Sequence, residues 1–306
     1  MRRLWIGLAA LVGCLIGAAA AGAQTNPNAP GNPNALAGTL KKARDTGVVT
    51  IGYREASFPF SYLDARREPI GYSIDLCRLI VETMSDEIGR ELQLKWVPVT
   101  SASRFEALTS GQIDLECGST TQNVERQATA SFSPVIFVAG TKLMVRRDAG
   151  IRSFRDLRGK TVVVTAGTTN EKALRDVSTR FNIGANIVAT PDHDQSFAMF
   201  MEGKADAYAG DDILLYGQVA RAQADDKVMV VGDFLSYDPY GIMFRRGDPA
   251  MASLVDRMFR TIAESRELEH TYNRWFMHRL PGGERLRLPM SAQLESIFGT
   301  LSARPD

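Results

Sequence analysis

The chain has 306 residues, enough for two domains of ordinary size and a substantial buried core. Lys and Arg total 36 against 35 Asp and Glu, a formal charge of +1 with no basic block, which excludes the one-sided charge of a nucleic-acid binder. Charged residues at 23% and apolar residues at 44% exclude wholesale disorder, and three histidines and three cysteines without zinc-like spacing speak against a metal-centred enzyme.

Residues 1–23 read as an export signal. Arg2 and Arg3 form a basic start, Leu4 to Ala20 is apolar throughout, and Ala21-Gly22-Ala23 supplies the small-x-small pattern for cleavage before Gln24. Leu11-Val12-Gly13-Cys14 resembles a lipoprotein acylation site, but the residues after Cys14 stay apolar where a lipoprotein turns polar. Secretion with cleavage after Ala23 is therefore the preferred reading. Residues 24–36, rich in Asn and Pro, predict a disordered leader. No later stretch approaches 18 uninterrupted apolar residues, so the mature chain is expected to be soluble. Cys77 and Cys117 remain after cleavage, and an oxidising compartment permits a bridge that sequence alone does not place.

Strand and helix signals then alternate. A short helix ended by Gly47 leads into the buried-strand run Val48 to Tyr53. Ser73 to Thr83 has helical spacing, Leu92 to Val99 alternates as a strand, Phe105 to Ser110 is a short helix stopped by Gly111, and Ile113 to Cys117 is the next strand. The rhythm restarts with a capped turn at Ser153. Strands are expected at Thr161 to Thr165, Asn186 to Ala189, Asp206 to Ala209 and Val228 to Val231, and helices at Asn170 to Phe181, Gln195 to Glu202 and Asp212 to Ala222. Tyr240 to Arg245 reads as one strand, Pro249 to Met277 as helix with a break near Glu267, and Ser291 as the cap of a last helix. This pattern predicts an α/β protein of two lobes, each a mostly parallel sheet flanked by helices.

Ligands in open α/β sheets bind outside the carboxyl ends of strands, so the residues there are the ones that matter. They include Arg54, Thr100, Ser101 and Arg104; Ser119, Thr121 and, slightly further on, Arg126; Thr168 and Thr169; His193; and Asp211. An arginine fork matches a carboxylate with parallel hydrogen bonds, and hydroxyls and free N–H groups at a helix start also suit an anion. Asp211 offers an acceptor for an ammonium group. One carboxylate needs one arginine, so three point to two carboxylates, hence an acidic amino acid. Taken singly each residue has an ordinary alternative: a solvated surface arginine, a turn hydroxyl, or a Thr168 that merely caps the helix carrying Glu171.

Five stretches carry a family resemblance: GYREASFPFSY (52–62), GYSIDLC (71–77), LECGSTTQNVERQ (115–127), VVVTAGTTNE (162–171) and DPYGIMFR (238–245). Over residues 40–280 the chain resembles the periplasmic amino-acid-binding proteins of bacterial ABC importers, family 3 of the type II solute-binding fold, and most of all the glutamate/aspartate-binding members. The resemblance implies a two-lobed venus flytrap without enzymatic activity or cofactor. It would be a monomer that closes over one amino acid and presents it to an inner-membrane permease and its ATPase. Arg126, Thr121 and Thr168 match the set for the α-carboxylate, and Asp211 with the Ser119 region matches that for the α-ammonium. Arg54, Ser101, Arg104 and His193, with Thr165 beside them, match the set around the side-chain carboxylate. The implied lobes are residues 37–138 with 241–280, and residues 142–236. The hinges would lie near 137–141 and 237–241, with a tail from Pro281.

The same fold also resembles periplasmic cyclohexadienyl and arogenate dehydratases, for which Glu116 or Asp211 would be the candidate general acid. Against this, the arginine count suits a dicarboxylate without any chemistry. A ligand-binding partner of a sensor is a third reading.

Overall fold

The computed structural model describes residues 36–303; the export signal, the Cys14 site and leader residues 24–35 lie outside the described residues. Helix α1 (Gly38–Thr46) ends at Gly47, whose φ of 73° favours glycine and whose N–H returns to the Ala43 carbonyl. Strand β1 (Val48–Tyr53) follows, then a small three-stranded sheet of β2 (Ala56–Ser57), β3 (Ser61–Leu63) and β4 (Pro69–Ile70). Helix α2 spans Tyr72–Ile88, longer than its periodicity predicts, because burial of Met84 carries the apolar face on towards Gly89. Next come β5 (Gln93–Pro98), α3 (Arg104–Thr109), β6 (Leu115–Cys117), α4 (Val124–Gln127), β7 (Ala130–Phe132), β8 (Phe137–Ala139) and β9 (Thr141–Arg146).

After a capped 3-10 turn at Phe154–Leu157 the chain alternates strictly: β10 (Thr161–Thr165), α5 (Thr169–Arg180), β11 (Asn186–Thr190), α6 (His193–Met201), β12 (Ala207–Asp211), α7 (Asp212–Ala222) and β13 (Val228–Val231). It then returns through β14 (Asp238–Tyr240) and β15 (Met243–Arg245) to the helices α8 (Pro249–Glu264), α9 (Glu267–Phe276) and α10 (Ala292–Ser302). The expected break between α8 and α9 falls at Arg266, with a φ of 64°, and Ser291 caps α10 through its hydroxyl.

Two five-stranded sheets result, ordered β5-β1-β6-β15-β7 and β11-β10-β12-β9-β13. In each, three strands run parallel, and the strand that arrives from the other sheet, β15 or β9, is inserted antiparallel beside the third. The two crossing segments pair with each other as a ribbon, Asp238 opposite Ala139 and Tyr240 opposite Phe137. Tyr240–Arg245, expected as one strand, is therefore two: Tyr240 belongs to the ribbon and Met243 to the first sheet. Between them the Gly241 N–H donates to the Thr120 carbonyl, 3.0 Å away. Hydrophobic pattern cannot reveal this switch, because Tyr240, Ile242, Met243 and Phe244 are all buried.

The second sheet shows why its strands are unbroken apolar runs. Val162, Val164, Leu143, Val145, Ala207 and Ala209 pack on one face, while Val163, Met144 and Tyr208 pack on the other. Period-two alternation with helices on both sides leaves no solvent face for polar residues. In the first lobe α2 buries Ile74, Leu76, Ile80 and Met84, and α8 buries Met251, Leu254, Val255, Met258 and Phe259. An aromatic cluster of Phe60, Tyr72, Phe137, Tyr240, Tyr272 and Phe276 sits at the ribbon, with Tyr272 and Phe276 as close as 4.5 Å between ring centroids. Cys77 of α2 and Cys117 at the end of β6 form a disulfide, both fully buried.

Candidate functional site

The carboxyl ends of the parallel strands in both sheets face one cleft, and their loops touch across it. A side-chain atom built on Gly167, after β10, would lie 2.9 Å from the Ala102 backbone after β5. The Thr121 and Thr169 hydroxyls are 3.3 Å apart, and the Arg126 Nη2 donates to the Gly167 carbonyl at 3.4 Å. The lobes are thus in contact along the cleft, so that charged groups brought from both sides lose water.

Arg54, just beyond β1, is only 2% exposed. Its backbone N–H donates to Ser61 Oγ at 2.8 Å and its Nη2 to Ser101 Oγ at 2.6 Å. Arg104, the first residue of α3, is equally buried and donates through Nη1 to Thr120 Oγ1 at 2.7 Å. Arg54 Nη1 and Arg104 Nε are inaccessible and have no protein partner. Arg126 donates through Nη1 to the Thr121 carbonyl at 2.9 Å. The Arg104 and Arg126 guanidinium carbons lie 5.6 and 5.4 Å from the Phe105 ring centre.

Burial and then the Arg104 charge push both Arg54 and Arg126 down to about 10. Burial also lowers Arg104, against the pull of Glu116. Such shifts mean that the charged forms are held at a cost when the lobes meet.

The second lobe contributes the complementary groups. Asp211, which ends β12, is 4% exposed; its Oδ1 accepts from Asn170 Nδ2 at 2.8 Å and its Oδ2 from the Tyr240 hydroxyl at 2.6 Å. Burial, followed by the Asp238 charge, raises Asp211 to about 7, while the two hydrogen bonds oppose the rise. His193, at the start of α6, has its Nδ1 2.9 Å from Thr165 Oγ1 and 3.1 Å from the Tyr208 hydroxyl. Burial first, and the Arg54 and Arg104 charges next, hold His193 well below its ordinary value, so the ring is neutral at pH 7. Thr168 does cap α5: its hydroxyl accepts from the Glu171 N–H at 3.1 Å and donates to the Thr165 carbonyl at 2.6 Å. Glu171 reaches back to the Gly167 N–H at 3.1 Å, one residue short of a reciprocal box. Ser119 lies 3.3 Å, hydroxyl to hydroxyl, from Ser57.

The ten residues that the resemblance matches to a ligand set (Arg54, Ser101, Arg104, Ser119, Thr121, Arg126, Thr165, Thr168, His193 and Asp211) lie in linked groups at the facing strand ends of the two sheets. Sequence reasoning missed Asn170 and Tyr240, which hold Asp211; Thr120, itself one of the strand-end residues, holds Arg104, a role the sequence does not assign to it. Asn170 and Tyr240 lie inside the motifs VVVTAGTTNE and DPYGIMFR, but motif membership does not say which side chain turns inward. Among the described residues no cluster of His, Cys, Asp and Glu is arranged to hold a metal ion.

Chemically the cleft offers forked cationic donors, hydroxyl groups, a neutral imidazole and, in Asp211, a buried carboxylate whose two oxygens are both held by hydrogen bonds. The family model of bacterial extracellular solute-binding proteins, family 3, matches residues 49–278. The L-glutamate/L-aspartate-binding protein of Pseudomonas aeruginosa PAO1 is 42% identical over 276 residues, 89% of this chain and 91% of that protein. The glutamate/aspartate import solute-binding protein of Escherichia coli K12 is 38% identical over 278 residues, covering 90% and 91%. Among solved structures, the ancestral amino acid-binding protein AncCDT-1, a precursor of cyclohexadienyl dehydratase, is 27% identical with a TM-score of 0.67, covering 78% of this chain and 99% of that one. The full-length relatives are binding proteins rather than enzymes, and the dehydratase reading is correspondingly the weaker one. With three quarters of its length inside the family model, the chain belongs to the bacterial extracellular solute-binding proteins, family 3.

Proposed function

We propose that this protein captures glutamate or aspartate in the periplasm and, as a monomer released by cleavage after Ala23, delivers it to a membrane permease coupled to an ATPase. The observation that carries this reading is the convergence of three buried or half-buried arginines with Asp211 on one cleft. The ligands named for the full-length relatives, which are glutamate and aspartate, support it.

In this reading Arg126, Thr121 and the Thr168 turn clamp the α-carboxylate, and Asp211 with Ser119 takes the α-ammonium. Arg54, Ser101, Arg104 and neutral His193, backed by Thr165, take the side-chain carboxylate. The orphaned Arg54 Nη1 and Arg104 Nε are then the donors a second carboxylate satisfies. Residues 37–138 with 241–280 form one lobe and 142–236 the other, with hinges near 137–141 and 237–241. Gly241 serves there by being small, since its φ is not in the left-handed region.

Closure is ligand-driven for an electrostatic reason. Bringing the lobes together without ligand buries guanidinium groups that repel one another and a carboxylate that would rather hold a proton. A zwitterion with two carboxylates reverses each of these penalties at once, which is the differential affinity a population shift requires. Charge-assisted hydrogen bonds contribute roughly 1.5–3 kcal/mol each, so the contacts named exceed the ~8 kcal/mol of a micromolar complex before ordering costs are subtracted. The test is small-angle scattering of ligand-stripped mature protein. Glutamate should shrink the radius of gyration and glycine should not; no change with glutamate or aspartate would remove the closure mechanism.

A further inference from the structure

Glu116 lies in the middle of β6, opposite Gly52 of β1 and Met243 of β15, and is completely buried at the centre of the first sheet. A carboxylate there is costly unless something nearby needs its charge. Its Oε2 accepts from the Thr120 hydroxyl at 2.5 Å, and the same hydroxyl accepts from Arg104 Nη1 at 2.7 Å. The other oxygen, Oε1, has no hydrogen-bond partner. A side-chain atom on Gly118 would fall 2.5 Å from Oε1 and 2.6 Å from Arg54 Cγ, so the carboxylate and the Arg54 stem share the space that a bare glycine leaves. Burial acts most strongly on all three arginines and opposes their charge; the Glu116 charge works the other way, foremost among the favourable charges at Arg54 and Arg104 and after Asp238 and Asp211 at Arg126.

We propose that Glu116 is the common counter-charge of the three arginines and, through Thr120, the positioning residue of Arg104, so that it sets how strongly the site separates dicarboxylate from amide ligands. This rests on the acidic-amino-acid reading above. The relay fixes the Arg104 fork: a Thr120 hydroxyl whose O–H donates to Glu116 has only lone pairs to offer Arg104. The counter-charge meanwhile tempers the positive potential of the pocket, so that the ligand, rather than solvent anions, completes the neutralisation.

Glu116→Gln keeps the shape and can still accept from Thr120, but removes the charge. Glutamate carries one more negative charge than glutamine, so the ratio of glutamine to glutamate Kd should rise by about tenfold, the scale of one unit charge several ångströms away in a protein interior. Thr120→Val, nearly isosteric, breaks the relay and frees Arg104, so the same ratio should fall by about tenfold. It also provides the decisive test should Glu116→Gln not fold. Calorimetric Kd values for both ligands, with thermal melts, read these effects. A ratio unchanged within twofold in the folded variants, whether or not melting temperatures drop, overturns the proposal and leaves Glu116 a structural residue. The parent is titrated first: if it fails to prefer glutamate, the function itself is wrong. A selective parent with unresponsive variants sinks only the Glu116 role.

Discussion

The Tyr240 hydroxyl donates to Asp211 Oδ2 at 2.6 Å, joining the ribbon that links the lobes to the acid at the end of β12. The Tyr240 ring is held in the aromatic cluster by Phe60 and Phe137, at 5.1 and 6.0 Å between centroids, so the donor position is fixed by packing. Tyr240→Phe keeps the ring and deletes the donor. Because that hydrogen bond lowers the proton affinity of Asp211, its loss moves Asp211 further above about 7. Affinity for glutamate at pH 7 should fall by roughly tenfold, and the pH at which binding is half-maximal should move up. Titrations at several pH values check both.

Asp211 itself makes a pH-dependent prediction whose sign follows from burial. Folding raises it from 3.8 to about 7, so between those values the folded chain holds a proton that the unfolded chain has released. Ligand-free stability from this group is therefore fully present below about 4 and is lost as pH rises through 7. Asp211→Asn should stabilise the ligand-free protein at pH 8 by up to about 4 kcal/mol, at ~1.4 kcal/mol per pKa unit, and hardly at pH 4, read as a higher melting temperature at pH 8 alone. The same variant should lose amino-acid binding. In the parent, affinity should decline as pH falls below 7, because the ammonium needs the ionised carboxylate.

Much of this architecture is legible in the sequence for a simple reason. Runs such as Thr161–Thr165, apolar on both faces and followed at once by Gly and Thr, can only be buried parallel strands with polar ends. The carboxyl ends then name Arg54, His193 and Asp211 without any knowledge of pairing. What depends on pairing is not legible. The Phe137–Tyr240 ribbon, the change of sheet at Gly241 and the two-residue strands at Ala56 and Pro69 are set by which segments meet, not by local pattern. The Cys77–Cys117 bridge is of the same kind, since α2 and β6 become neighbours only once the sheet forms. Tyr240 reads as an apolar strand residue because its ring is one; only its hydroxyl is functional.

The disulfide ties α2 to the strand that leads directly into Gly118, Ser119 and Thr120, its cysteines 40 positions apart in sequence. Constraining a loop of that length stabilises a fold by about 3–4 kcal/mol in the chain-entropy model. Cys77→Ser with Cys117→Ala should lower the melting temperature accordingly. It should also weaken ligand binding by a few-fold, because the loop that positions Thr120 and Thr121 loses its anchor. Thermal melts with and without reductant, compared with the double variant, test this.

The arginines should separate by role. Arg126→Ala leaves a ligand carboxylate buried and unpaired, which costs about 3–5 kcal/mol for every amino acid tested. Arg104→Met keeps the apolar stem and should weaken glutamate and aspartate by about 2–5 kcal/mol while changing glutamine much less. Calorimetric titration of both variants with the three ligands measures the separation. Glutamate binding by the Arg104→Met protein as tight as by the parent would remove Arg104 from the side-chain site.

The central claim is that the cleft is built for two carboxylates and one ammonium. Its most direct test is calorimetric titration of the mature protein, unfolded and refolded to strip any ligand, with glutamate, aspartate, glutamine and asparagine. Tight 1:1 binding of the two acids, with the amides at least tenfold weaker, is the predicted result. Equal binding of the amides, or no binding of any of the four, would contradict it.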